Sequence, residues 1–261
     1  NPGPVQTEFQ KITEKALTRR NFLKSSAAFS AAAFLFGTTT LTPTDAKASS
    51  IMFDPVAANT FDDITLPKGF SSQVVVSWGD PMWTKGKDFD HLTRGTAASQ
   101  ELAYGDNNDG MSLFTKNGKH VLAVNNEYTN RGIIYGARDS KLPENEDDVN
   151  KGKAAHGVSI IEISENNGQW RIIKDSYYNR RITADTEMEI TGPARGHDLL
   201  KTKADPTGTK SLGTWNNCGN GRTPWGTYLA CEENFNGYFS SSNKDFKRTS
   251  NMKRYGIKNK D

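Results

Sequence analysis

Apolar positions in this chain come in short bursts separated by turn residues, a period-2 pattern that predicts strands. Residues 72–78, Ser-Gln-Val-Val-Val-Ser-Trp, predict a first strand, punctuated by Pro67 and Gly69 before it and by Gly79-Asp80-Pro81 after it. Residues 111–114 and 119–124 flank Asn117-Gly118, a strong two-residue hairpin signal. Residues 157–163 alternate toward Ile160, Ile161 and Ile163, turn at Glu165-Asn166-Asn167-Gly168 and return through 170–176. Residues 177–182 extend or follow that hairpin, and 225–231, rich in aromatic and β-favouring side chains, predict a short buried strand. Between these lie polar stretches. Residues 84–100 read as loop with Phe89 and Leu92 turned inward, and 139–153, charged and without apolar period, as an exposed loop. Beyond the first fifty residues no long amphipathic helical pattern appears. The fold class predicted is all-β.

Composition agrees. Hydrophobic residues make up 34% of 261 and glycine is abundant, at 23, which suits many short strands and turns. The formal net charge of +3 is too small to argue for nucleic acid, and much of the excess sits near the two ends. The first residues read as an address. Thr18-Arg19-Arg20-Asn21-Phe22-Leu23-Lys24 has the twin-arginine pattern, residues 26–37 are a short apolar run, and Ala46-Lys47-Ala48 is a small-x-small cleavage site. That run of about twelve residues is well short of the roughly 20 needed to span a bilayer. The division expected is a signal segment over 1–48 and a domain over 49–261, exported to the periplasm or beyond by the twin-arginine machinery, with no stable membrane span. The first residue is Asn, and residues 248–261 are polar and basic with no closing strand, so an open piece of a longer reading frame is expected.

Candidate chemistry gathers where strands stop. Asp106-Asn107-Asn108-Asp109-Gly110 precedes a strand and could bind calcium or form a polar turn; it lacks the ligand spacing of an EF-hand. Asn125-Asn126-Glu127-Tyr128 follows one, and Glu127 could reach a cation at a sheet end. His197-Asp198 resembles an acid–base pair, but neighbours on a strand point to opposite faces, which favours a structural role. The densest stretch is 214–239. A turn-rich half carries Cys218, a strand follows, and the strand runs into Glu232 and Glu233. Thiol plus carboxylates suits a mixed metal site. The two cysteines, Cys218 and Cys231, leave a disulfide equally open. No Gly-rich phosphate loop, His-Glu-x-x-His or Gly-x-Ser-x-Gly element occurs, so nothing points to a nucleotide enzyme, a zincin or a serine hydrolase.

The run Asn-Cys-x-x-Gly-x-Thr-Pro-Trp-Gly-Thr-x-Leu-x-x-Glu-Glu-Asn resembles the signature of the PhoX-type alkaline phosphatases. The resemblance implies a β-propeller, here only its first blades, holding iron and calcium. It implies Cys218 and Glu233 as iron ligands and Glu127, in an Asn-x-Glu-Tyr element, as a calcium ligand. It implies hydrolysis of small phosphate monoesters for phosphate scavenging, by a monomer whose remaining ligands lie beyond residue 261, so that this stretch alone is inactive. The competing readings are a non-catalytic calcium-stabilised propeller, with Cys218 bonded to Cys231, and a phosphodiesterase on the same scaffold.

Overall fold

The computed structural model describes residues 55–258 apart from 137, 242 and 244. The twin-arginine run, the apolar stretch and the cleavage site therefore lie outside the described residues. The chain divides into two units, Asn1–Phe70 and Ser71–Asp261. In the first, residues 55–70 carry neither helix nor strand and are mostly exposed; the Asn59 side chain closes a local turn by accepting from Phe61 N–H.

The second unit is built on an antiparallel sheet. Strands β1 (Asn108–Lys116), β2 (Lys119–Asn126), β3 (Gly157–Asn166) and β4 (Gln169–Ile172) lie side by side in chain order. β5 (Arg180–Ile182) shares the outer edge of β3 with β4, pairing with Val158–Ile160 while β4 pairs with Ile163–Asn166. Both predicted hairpins are present. Asn117 and Gly118 sit at φ 53° and 74°, and Asn167 and Gly168 at 52° and 77°, the left-handed pairs that match the strand twist. Two further hairpins follow: β6 (Thr186–Glu189) with β7 (Lys210–Gly213), and β8 (Asn217–Arg222) with β9 (Tyr228–Glu232). The fold is mostly strands, as predicted, and among the described residues these sheets do not close into a propeller.

The core sits on one face of the sheet. Met82, Tyr104, Val124, Ile161 and Ile163 are buried there, packed against Val75, Val76, Trp83, Leu122, Trp170 and Ile172. Val75 and Val76 belong to the predicted first strand, which is extended but joins no ladder. Its tie to the sheet runs through a side chain instead: the Gln73 amide accepts from Trp170 N–H at 2.8 Å and donates to Trp170 O at 2.5 Å. A side-chain amide here replaces the backbone pairing that defines a strand.

The predicted loop 139–153 is in fact largely helix. Four short helices are described: α1 (Ala97–Glu101), α2 (Arg131–Ile134), α3 (Glu146–Ala155) and α4 (Ser250–Arg254). α3 has no apolar stripe because its buried residues are Asp148, Lys151, Gly152, Ala154 and Ala155. It starts on Asn145, whose side chain accepts from Asp148 N–H, and Glu146, Asp147 and Asp148 face the positive end of the helix dipole. Arg138 grips both oxygens of Asp148, so the buried charge is paired. The predicted buried strand 225–231 is present as β9, but it is largely exposed, and so is Trp225, at 78%. β8–β9 is a two-stranded ribbon against β1, with no layer over its other face among the described residues.

Candidate metal centre

Three chain segments bring Asp109, Glu127 and Cys218 together at one end of the sheet. Each offers a donor atom within 4.8 Å of the other two, and all three are half-buried. Asp109 lies where the β1–β2 register slips between Asn108 and Met111. Cys218 lies where the β8–β9 register slips between Asn217 and Asn220. Glu127 is the first residue past β2, and its N–H donates to Asn107 O at 2.9 Å. Bulges re-aim side chains that regular strands would send to alternate faces.

Neutral side chains hold these segments in place. Asn125 donates to Cys218 O at 2.9 Å, and Asn220 donates to Met111 O at 3.1 Å and to Ser112 Oγ at 2.9 Å. The Tyr228 hydroxyl lies 2.8 Å from Gly110 O and 2.9 Å from Asn125 Oδ1. Gly110 permits the approach, because a Cβ there would stand 2.7 Å from Cys218 O. Asn217, fully buried, donates to Gly157 O at 3.2 Å and accepts from Thr214 at 2.5 Å. Asn216, left-handed at φ 49°, donates to Glu127 Oε1 at 3.2 Å. Asp106 accepts from Asn107 and Asn130 N–H, so within the predicted calcium turn it pins the 125–130 loop while Asp109 faces the cluster.

Glu232 and Glu233 take different parts. Glu232 Oε1 accepts from Thr214 Oγ1 and Trp215 N–H and so closes the loop ahead of Cys218. Glu233 donates its N–H to Asn216 O and accepts from Asn234 at 2.6 Å. It is not within the close group of three, but its charge is felt at both Glu127 and Cys218. The cysteines are both free thiols. His197 caps the short turn Asp198–Leu200 by accepting from Leu199 N–H, and Asp198 pairs with Lys201, so that couple is structural. Of the three aromatics in residues 235–239, Tyr238 packs on Trp215, Phe235 turns to Tyr255, and Phe239 is half exposed.

The electrostatics are those of acids crowded without a counter-charge. Desolvation, then the Asp109 and Glu233 charges, raise the Glu127 carboxyl above its ordinary value. The Cys218 thiol is pushed up to about 11, chiefly because its S–H donates to Asp109, then by burial and by the negative charges of Asp109, Glu233 and Glu127. Among the described ion pairs none involves Asp109, Glu127 or Glu233.

The sequence profile of the family "Alkaline phosphatase PhoX" matches residues 51–261. The chain belongs to the PhoX family. Among solved structures, "Pseudomonas fluorescens PhoX in complex with vanadate, a transition state analogue" is 50% identical, with a TM-score of 0.75. The match covers 79% of this chain and 36% of that one, so the chain spans little more than a third of that PhoX. No curated protein matches. The sequence left Asp109 open between a calcium-binding segment and a polar turn. The signal was available, since an acid just before a strand is where a register slip redirects a side chain. The sequence did not join His156 to Trp215 and Tyr238, because His156 lies far from them along the chain and carries no motif.

The donor set fits the metals that the family resemblance implies. Ca²⁺–O bonds run about 2.3–2.6 Å, so two ligands of one ion stand no more than about 5 Å apart. The 4.8 Å limit here meets that condition. Thiolate with carboxylates suits iron, and carboxylates suit calcium.

Proposed function

We propose that this protein is an exported, metal-dependent phosphatase that releases phosphate from phosphate monoesters. The observation that carries the reading is the meeting of Asp109, Glu127 and Cys218 within reach of a single ion. Membership of the PhoX family supports the phosphatase class, and the PhoX relative in complex with vanadate supports phosphoryl chemistry. In this reading Cys218 and Glu233 bind iron, Glu127 binds calcium, and Asp109 completes the acidic wall. The described strands are the first part of a propeller, the protein works as a monomer, and the twin-arginine run at residues 18–24 sends it to the periplasm or beyond.

When bound, the cations supply electrostatic stabilisation of the charge that spreads over phosphoryl oxygens, without proton transfer. The chain's own residues prepare for this. Cys218 and Glu127 hold protons more tightly than usual, and both must give them up to bind a cation, so uptake strengthens as pH rises. Asn216 fixes Glu127, and Asn125 fixes the Cys218 backbone, so neither donor needs to be ordered on binding.

The test uses the native protein with an aryl phosphate ester at alkaline pH. Phosphate release is expected, calcium chelation should abolish it, and Cys218→Ala should remove iron by elemental analysis. Hydrolysis that survives both changes refutes the assignment.

A further inference from the structure

Three aromatic side chains tie together the segments that carry the acidic group, and none of them is a candidate ligand. Trp215 stands three residues before Cys218 and stacks on Tyr238, with ring centroids 4.7 Å apart and planes at 33°. It also meets His156 at 5.0 Å, edge to face. Tyr238 stands five residues after Glu233, in the short turn Phe235–Tyr238. His156 directly precedes Gly157, whose carbonyl holds Asn217. The three residues thus belong to the end of α3, the loop just ahead of Cys218 and the turn after Glu233.

A directional hydrogen-bond chain runs through them. His156 Nδ1 lies 2.6 Å from Gly152 O, which can only accept, so Nδ1 carries the proton. The ring is neutral near pH 7, since burial pushes its pKa down to about 4 despite that bond, with the Arg181 and Arg131 charges adding to the depression. Nε2 is then an acceptor, and the Tyr238 hydroxyl, 2.9 Å away, must donate to it. Burial, and after it the Glu127 charge, push the Tyr238 hydroxyl up to about 12, so it keeps its proton and remains a donor. The direction from Tyr238 through His156 to Gly152 is set by the one group that cannot donate.

We propose that Tyr238 is a positioning residue for the metal centre: its bond to His156, packed under Trp215, fixes the Glu233 turn and the loop just ahead of Cys218 against each other. This rests on the metal reading above. Residues behind the ligands set ligand orientation, and their loss costs roughly 10–100-fold in metal affinity. Tyr238→Phe removes one oxygen and leaves the stack on Trp215. His156→Phe keeps an aromatic ring but neither hydrogen bond. His156→Gln supplies one donor and one acceptor, the two functions the chain requires.

The experiment measures the calcium dissociation constant of the metal-stripped native protein by calorimetric titration, with the thermal midpoint of each stripped variant alongside. Tyr238→Phe and His156→Phe should bind calcium about tenfold more weakly, and His156→Gln should recover most of the loss. Wild-type protein that takes up no calcium sinks the metal reading and this inference with it. Wild-type affinity in Tyr238→Phe sinks this inference alone. So does a Tyr238→Phe protein that is unfolded when stripped, because the bond would then hold the fold rather than the site. A His156→Gln protein as weak as His156→Phe has the same consequence, since hydrogen bonding would not be what matters.

Discussion

Acid should unfold the metal-stripped protein through His156. The imidazole is buried and neutral, with its pKa lowered from 6.5 to about 4, mainly by desolvation. The sign follows from proton counting. Between those values the unfolded chain binds a proton that the folded chain refuses, so stability rises with pH across the window. The contribution is complete above about 6.5, is lost as pH falls toward 4, and changes no further below that. At about 1.4 kcal/mol per unit, the shift is worth about 3 kcal/mol, a large share of a typical domain's stability. Urea unfolding followed by tryptophan fluorescence, at several pH values from 7 to 4 and with chelator present, measures it. Other groups titrate in the same range. Asp148, held low by Arg138, adds acid loss of the same sign, while the raised carboxyls of Asp106 and Glu127 oppose it. The decisive quantity is therefore the difference between wild type and His156→Gln. The variant should be less pH-sensitive by about 3 kcal/mol over the window. Equal pH slopes in the two proteins would refute the reasoning.

Two further perturbations test the scaffold and the charge balance. Gly157 sits at φ 104°, and an added Cβ would fall onto the Ile182 carbonyl of β5. Gly157→Ala should therefore cost about 3–5 kcal/mol and drop the melting temperature markedly, and a midpoint close to wild type would show that β5 can move aside. Asp109→Asn removes the largest cause of the raised Cys218 thiol, so in metal-free protein the pH midpoint of Cys218 alkylation should fall from about 11 toward the ordinary thiol value, with Cys231→Ser as background; an unchanged midpoint would count against the assigned contact.

The hairpins were legible because Asn117-Gly118 and Asn167-Gly168 need their left-handed conformations locally, whatever the rest of the chain does. Glu127 was legible as a candidate because it follows a strand end, and Cys218 because it sits in a long motif with carboxylates after it. α3 was not legible, since periodicity reports apolar faces and this helix buries Asp148, Lys151, Gly152 and two alanines. Its start was written in Asn145 and the three acids after it, a capping signal that a search for hydrophobic stripes passes over. The 72–78 stretch misled in the opposite way. Its valines reach the core, but its pairing is through Gln73, and composition cannot tell a side-chain amide from a ladder. Trp225 misled because a large aromatic says what could be buried, not whether another layer arrives to bury it.

The division of labour around Asp109, Glu127 and Cys218 explains why the site can wait for a cation. Two basic side chains of the surrounding strands are spent elsewhere. Arg181 gives its guanidinium to Asn126, Ser159 and the carbonyls of Ala154 and His156, and Arg222 lies over Phe114. Shape is fixed instead by neutral groups, Asn125, Asn216, Asn217, Asn220 and Tyr228, which hold the backbone without cancelling charge. An arginine in any of those places would also have held the loops, but it would have neutralised the acids and weakened their pull on a metal ion. Because amides do the holding, the repulsion among the acids persists in the stripped protein, and a bound cation relieves it. Cation uptake and folding stability are then linked, and calcium should protect the fold in proportion to its affinity.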